Sequence, residues 1–486
     1  MSIRRAALWS LASQYASFAI QFATSVIISR LFLLPADVGM FSIALAAAMV
    51  VSIFQDMGIS RFVTGQPQMQ DDHVREYASV AVGLGWVVAG LIALGALPLA
   101  QFYGEPGLTK LLLIIAASYL VLPFATVPAA LLTRAMNFRS LFVANAGSAL
   151  AGGLVAIACA ANGAGPASLA WGMLATTLVR LAAVQAARPV LPRRPQAFGV
   201  IRPILGFGST SFVLSLSAAI GLRSQDLIVG RLLGLVATGL FTRASALAGQ
   251  MSSLVVGAIS GVFYPAFAKK RDAGEDLAGP YQHLIACNTG LNWAAAIGLA
   301  LAAEPVVQIL YGPNWTQVAP LLRWTALAEM FFVAIPLQMD IPILLGRIRT
   351  LVWVNVLDTA VTVSILATFS LWGVEAAAQS RVLVGAIWFA IYIGFIARLL
   401  KLRWADLAGN YLRSLVCALA AGLPLMIARW NGFLTAETGV LPLAALCFAG
   451  VGTWLLALPL VRHPLWQEVR LGLAQVPFAR TVLGLT

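Results

Sequence analysis

Arg223 and Asp226 stand three residues apart in the middle of an apolar stretch, FVLSLSAAIGLRSQDLIVGRLL, residues 212–233. A helix puts residues at that spacing on one face, so the two charges can pair. A bilayer interior penalises ionisable groups, and those that persist there usually mark a functional site. The pair either locks two helices together or lines a polar cavity that charged cargo enters.

Other polar side chains repeat the pattern. In the first apolar stretch Ser10, Gln14, Ser17, Gln21, Ser25 and Ser29 recur every three or four residues, which is one helical face. The second carries Ser42, Ser52 and Asp56 beside Gln55, and the stretch after Asp226 carries Thr242, Ser245, Gly249 and Ser253 beside Arg243. Polar faces in lipid must meet other helices or water. Close packing through small residues accounts for the serines and glycines. It accounts less well for Gln14, Gln21, Asp56, Arg223, Asp226 and Arg243. With Arg30 and Arg231 near the outer ends of their spans, these residues keep a cationic surplus after each Asp neutralises one Arg. Guanidinium forks match phosphate oxygens, so the surplus suits an anion, and diphosphate best of all.

The elements that must hold these residues are membrane helices. The 486 residues are 60% hydrophobic and 10% charged, against about 25% charged in a soluble domain. Apolar stretches of about 20 residues recur without the alternation of a β-barrel, so the fold class is an all-α polytopic membrane protein. Fourteen spans fit between residues 8 and 461, among them 109–132, 207–232, 237–264 and 318–345. The net charge of +13 is spread in short clusters between spans rather than in one patch, which excludes a nucleic-acid surface. Basic residues fill alternate connections, and the positive-inside rule then puts both termini in the cytoplasm. The first span is too long for a cleaved signal peptide.

The Pro- and Arg-rich segment 188–206 reads as a cytoplasmic linker between a six-helix half, 1–187, and a second, 207–397, with two further helices and a tail in 398–486. Residues 29–62 align loosely with 230–263: each has Arg-Leu, a short turn, Gly with Phe two residues on, then a small-residue helix. Parallel repeats of this kind place substrate between halves that rock.

No HExxH, P-loop or nucleophile–base arrangement is present, and the longest external segment, 304–317, holds only Glu304 as an ionisable group. An ATP-driven pump and a polymerase or ligase of the membrane are therefore disfavoured. Cys159, Cys287, Cys417 and Cys447 are isolated in apolar runs and read as core residues, so no metal or other cofactor is expected. Asp71-Asp72-His73-Val74 reads as a solvated loop, and Trp315, Trp372, Trp404, Trp430 and Trp466 read as interfacial anchors.

ISRLFLLPADVGMFS, FQDMGISRFVTGQ, SQDLIVGRLLGLVATGLFTRA, VFYPAFAKKRD, LYGPNWTQVAPLLR and IPILLGRIR, in this order, resemble the multidrug/oligosaccharidyl-lipid/polysaccharide exporter superfamily, and within it the Wzx-type polysaccharide flippases. The resemblance spans nearly the full length. It implies a V-shaped bundle of two six-helix halves that alternates between inward and outward openings in a bacterial inner membrane. It also implies an undecaprenyl-diphosphate-type lipid-linked oligosaccharide as cargo, with a polysaccharide polymerase and export machinery as partners. Cavity arginines bind the diphosphate in such flippases. Arg223 and Arg243 match by position, with Arg30, Arg231, Gln14 and Gln21 as further substrate contacts and Asp56 and Asp226 as ion-coupling or pairing groups. The first half has Gln14 and Gln21 where the second has Arg, which argues against a symmetrical arginine pair. A multidrug exporter of the same superfamily is the alternative, and its cationic cargo would favour an acidic cavity instead.

Overall fold

The computed structural model describes residues 3–55, 71–192 and 201–474, and every regular element among them is helical. In chain order these are α1 (Ile3–Leu31), α2 (Pro35–Ser52), α3 (Asp71–Tyr103), α4 (Gly107–Val121), α5 (Pro123–Arg134), α6 (Phe138–Ala161), α7 (Ala167–Ala187) and α8 (Ile201–Asp272). Then follow α9 (Ala278–Leu301), α10 (Ala303–Tyr311), a 3₁₀ turn (Pro313–Trp315), α11 (Val318–Phe332) and α12 (Asp340–Leu344). The chain finishes with α13 (Ile348–Ser370), α14 (Val374–Leu400), α15 (Trp404–Trp430), α16 (Val440–Leu460) and α17 (Leu465–Ala474).

Among the described residues, eleven helices are long and apolar enough to cross a membrane, or twelve when α4 and α5, bent by 45° at Leu122, count as one span. Burial of their most apolar stretches ranges from 11% in α1 to 56% in α9, and in α16 only 17% is inside the protein. Leu94, Leu441, Phe448 and Trp430 are 77–92% exposed, a surface that only lipid can cover. The expected count of fourteen is not confirmed. The spans expected at 207–232 and 237–264 are the two helical segments of α8, which separate at Gly234, where φ is 85° and ψ −177°. The span expected at 318–345 is interrupted between α11 and α12, where Leu337 takes a φ of 55° beside Pro336. A proline without an N–H and a left-handed residue end the helical ladder there. Asp71-Asp72-His73-Val74, expected in a loop, is instead the first turn of α3.

The chain divides into two compact units, residues 1–242 with 355–371, and residues 243–354 with 372–486. In the first, α2, α3, α4 and α7 share a core that includes Ile43, Val88, Leu108, Ile115 and Ala170. α1 lies on α6: Trp9 meets Phe142 edge-on at 5.3 Å, and Asn145 donates to the Ser13 hydroxyl at 3.1 Å. α2 crosses α8 through two glycines. A Cβ on Gly39 would lie 1.9 Å from the Leu235 carbonyl oxygen, and one on Gly239 would lie 1.8 Å from that of Pro35. The contact is reciprocal between the two segments that the sequence aligns, and no side chain larger than hydrogen fits either position. Ser217 of α8 donates to Thr359 of α13 at 2.9 Å, tying that helix to the same unit.

In the second unit α9 is central. Trp293 donates to the Met330 carbonyl at 2.7 Å and stacks on Tyr411 at 5.7 Å, joining α9 to α11 and α15. α16 meets α15 where Thr453 donates to the Ala420 carbonyl at 2.7 Å. α17 folds back with Leu465, Trp466 and Val469 against Cys417 and Leu458.

Candidate functional site

The opening pair forms. Arg223 Nη1 lies 4.0 Å from Asp226 Oδ2, and the Arg side chain is 25% exposed against 4% for the Asp. Asp226 also accepts a hydrogen bond from Thr242 Oγ1 at 2.7 Å. Thr242 follows the break at Gly234, so one carboxylate holds the two segments of α8 to each other. A buried carboxylate is stable only when its oxygens are occupied, and here a guanidinium and a hydroxyl occupy them. Arg223 is left partly open while its partner is sealed. Next to the pair Tyr103 donates to the Leu227 carbonyl at 2.9 Å.

Arg231 is exposed, with its guanidinium carbon 4.9 Å above the Phe102 ring. Arg30 is exposed in the last turn of α1. Gln14 and Gln21 are exposed as well, whereas Ser13 and Ile28 are buried in the same helix. The two glutamines thus face away from the α1–α6 seam. Asp56 lies outside the described residues.

Arg243 belongs to the second unit and has a different environment. Its guanidinium carbon lies 5.9 Å from the Tyr311 ring centre and 5.8 Å from that of Trp315. Trp315, expected as an interfacial anchor, has no exposed surface at all, and Tyr311 is only 3% exposed. Trp372, Trp404 and Trp430 do lie on the surface, at 69%, 60% and 92% exposure. The correction has a local cause: Gly312 reverses the chain at a φ of 82° and the 3₁₀ turn carries Trp315 inward.

Two more charge clusters come together in the second unit. Glu329 accepts from Ser252 at 3.0 Å and pairs with Arg381 at 3.5 Å, and Arg381 stands 5.3 Å over Phe332. Glu304 takes a hydrogen bond from Arg323 and lies 3.6 Å from Arg429. Sequence spacing reveals neither, because the partners lie on different helices. The Gly-Pro turn in YGPNW was the one available signal for the aromatic pair. Among the described residues no group of three His, Cys, Asp or Glu side chains is placed to hold a metal ion, and the four cysteines are free.

The family described as polysaccharide biosynthesis protein matches residues 27–320. The chain belongs to that family. The match takes in α2 through the 3₁₀ turn, and so covers the Arg223–Asp226 pair, Arg243 and both aromatic partners. A family relative, the succinoglycan biosynthesis transport protein ExoT of Rhizobium meliloti (strain 1021), is 27% identical over 343 residues, 70% of this chain and 68% of that protein. The lipopolysaccharide biosynthesis protein WzxC of Escherichia coli (strain K12) is 21% identical over 59% of this chain and 58% of its own length. Among solved structures the fold matches the lipid II flippase MurJ in an inward closed conformation, with a TM-score of 0.74 at 13% identity, over 93% of this chain and 97% of that one. An outward-facing multidrug transporter of the MATE family shares the fold more distantly, with a TM-score of 0.52 at 15% identity over 82% of this chain and 96% of that chain.

Proposed function

We propose that this protein is a flippase that carries polyprenyl-diphosphate-linked oligosaccharide repeat units across the cytoplasmic membrane for polysaccharide synthesis. The halves 1–187 and 207–397 alternate in access around the linker 188–206, residues 398–486 add the last helices, and both termini lie in the cytoplasm. A partly open guanidinium inside an apolar span, Arg223, paired with a carboxylate that also takes a hydroxyl, carries the reading at the residue level. Arg223 and Arg243 bind the diphosphate. Arg30, Arg231, Gln14 and Gln21 line the route, Asp226 holds Arg223, and Asp56 serves pairing or ion coupling. The polyprenyl tail stays in lipid while the headgroup moves.

The drive is adequate without a nucleotide. A charge crossing the membrane gains about 2.3 kcal/mol per 100 mV, so a doubly anionic headgroup leaving an inside-negative cell gains roughly twice that. The polysaccharide polymerase that consumes the flipped unit is the expected partner.

The test is flipping of a fluorescent polyprenyl-diphosphate-linked sugar in proteoliposomes. Arg223→Ala with Arg243→Ala should lower the rate at least tenfold, about 1.4 kcal/mol of lost binding or more. An unchanged rate removes both residues from the mechanism. Cationic dyes should neither compete nor be carried, since the surplus charge at these positions repels them; dye export would favour a multidrug exporter.

A further inference from the structure

We propose that Arg413 of α15 and Arg462, with Arg470 of α17, form a site for the headgroup of an anionic bilayer phospholipid, whose acyl chains run along exposed leucines of α15 and α16. The occupant is a lipid of the surrounding leaflet, and the site is separate from the arginines assigned to the cargo.

The three cations surround the docking of the last helix. α17 packs Leu465, Trp466 and Val469 against Cys417 of α15, and Arg413 stands one helical turn before Cys417. His463 marks the meeting point. The Ser414 hydroxyl, next to Arg413, lies 3.0 Å from its Nε2, Arg413 acts on it electrostatically, and Arg462 precedes it in the chain. Arg470 directly follows Val469, and all three arginines are exposed. The helices α15, α16 and α17 carry two carboxylates, and both are engaged: Asp406 lies 3.9 Å from Arg403, and Glu468 lies 3.1 Å from His283. Among the described residues no carboxylate pairs with Arg413, Arg462 or Arg470.

The surface beside these cations is apolar. Leu412, next to Arg413, is 62% exposed, and Leu456 and Leu460 in the last turns of α16 are 68% and 81% exposed. Such a surface meets acyl chains. Arg413 lies nine residues along α15 from the exposed Trp404, about 13 Å, which puts it at the edge of the hydrocarbon rather than in water. A long cationic side chain at that depth turns its head toward the headgroups. A soluble anion would have to leave water to reach it, whereas a phospholipid brings its phosphate to that level and its chains to the leucines. Each basic side chain near such a surface strengthens the attraction for anionic lipid about fivefold.

The experiment measures binding of phosphatidylglycerol with one fluorescent acyl chain to the purified full-length protein in non-ionic detergent. Arg413→Gln with Arg462→Gln should weaken binding at least tenfold, and each single change about fivefold. Lys269→Gln with Lys270→Gln removes the same charge from the end of α8 and should stay within about twofold of the wild type. Equal loss there would show that net charge alone attracts the lipid, and would overturn the site. Unlabelled phosphatidylglycerol should displace the probe, while phosphatidylcholine and inorganic phosphate should not. Displacement by phosphate would make this a site for soluble anions and would also overturn the proposal. Thermal unfolding of the same samples gives a second readout: phosphatidylglycerol should raise the unfolding temperature of the wild type, and the double glutamine variant should lose that rise. Should Arg413→Gln fail to fold, Arg462→Gln with Arg470→Gln, both beyond the last span, takes its place; undiminished binding there would overturn the site.

Discussion

Asp226 is the residue on which the polar centre of the first unit depends. Its carboxylate faces Arg223 at 4.0 Å and takes the Thr242 hydroxyl at 2.7 Å, so removing it strands both partners. Breaking a buried pair from one side costs about 3–5 kcal/mol, and the partial exposure of Arg223 brings that down to about 2 kcal/mol. Asp226→Ala should therefore destabilise the purified protein by about 2 kcal/mol in thermal or detergent unfolding. Asp226→Ala with Arg223→Ala should cost less than the two single changes added together, because the second change removes the stranded charge. An additive double variant would show that the two groups do not interact. The spacing of three residues made this pair legible from the sequence. The Thr242 hydroxyl belonged to a recognised polar stripe and the break at Gly234 lay between two expected spans, yet spacing alone does not show which side chains meet across that break.

Single elements were legible to the extent that hydropathy reports them. α1, α6, α7, α9, α15 and α16 fall close to the expected spans because about 20 apolar residues form the same helix in any membrane context. Breaks inside a span were not legible. Leu122 and the Pro336–Leu337 corner change the direction of the backbone without changing its hydropathy, whereas the break at Gly234 falls between two expected spans. The aligned segments around Gly39 and Gly239 were visible as a pattern, whereas the physical reason for the glycines lies in the crossing of α2 and α8. A methyl group at either position would sit inside a carbonyl oxygen of the other helix. Gly39→Ala and Gly239→Ala should each lower the unfolding temperature by several degrees, equivalent to about 1–3 kcal/mol of overpacking. The double variant should be little worse than either single one, since the first methyl already forces the helices apart. Equal losses at Gly83 or Gly95, where nothing lies within 4 Å of an added methyl, would show that the effect is helix propensity and not contact.

Across the second unit the chain closes on itself, and one imidazole records the closure. His463 follows α16, is 2% exposed, and lies near 3.0 Å from the Ser414 hydroxyl, which meets Thr289 of α9 at 2.8 Å. The Leu465 amide donates to His463 Nδ1 at 3.1 Å, so that nitrogen carries no proton. A Cβ on Gly290 would come within 2.7 Å of the ring, which leaves no room for water. Burial, with Arg413 and His283 adding to it, pushes the imidazole down to about 4 from its ordinary 6.5. The same stretch of chain also carries Arg462, Glu468, which lies 3.1 Å from His283, and Arg470. Between about pH 6.5 and 4 the unfolded chain binds a proton at His463 that the folded chain refuses. Stability therefore rises with pH across that window: the contribution is complete above 6.5 and is lost as the pH falls toward 4. Complete loss would amount to about 3 kcal/mol, and screening at the membrane surface lowers the expected figure to about 1–2 kcal/mol. Unfolding of the purified protein followed from pH 7.5 down to pH 4.5 should show this slope, and His463→Gln should flatten it while His283→Gln leaves most of it. A slope that survives in His463→Gln would move the titration to another group and would leave the docking of α17 to its apolar contacts at Leu465, Trp466 and Val469.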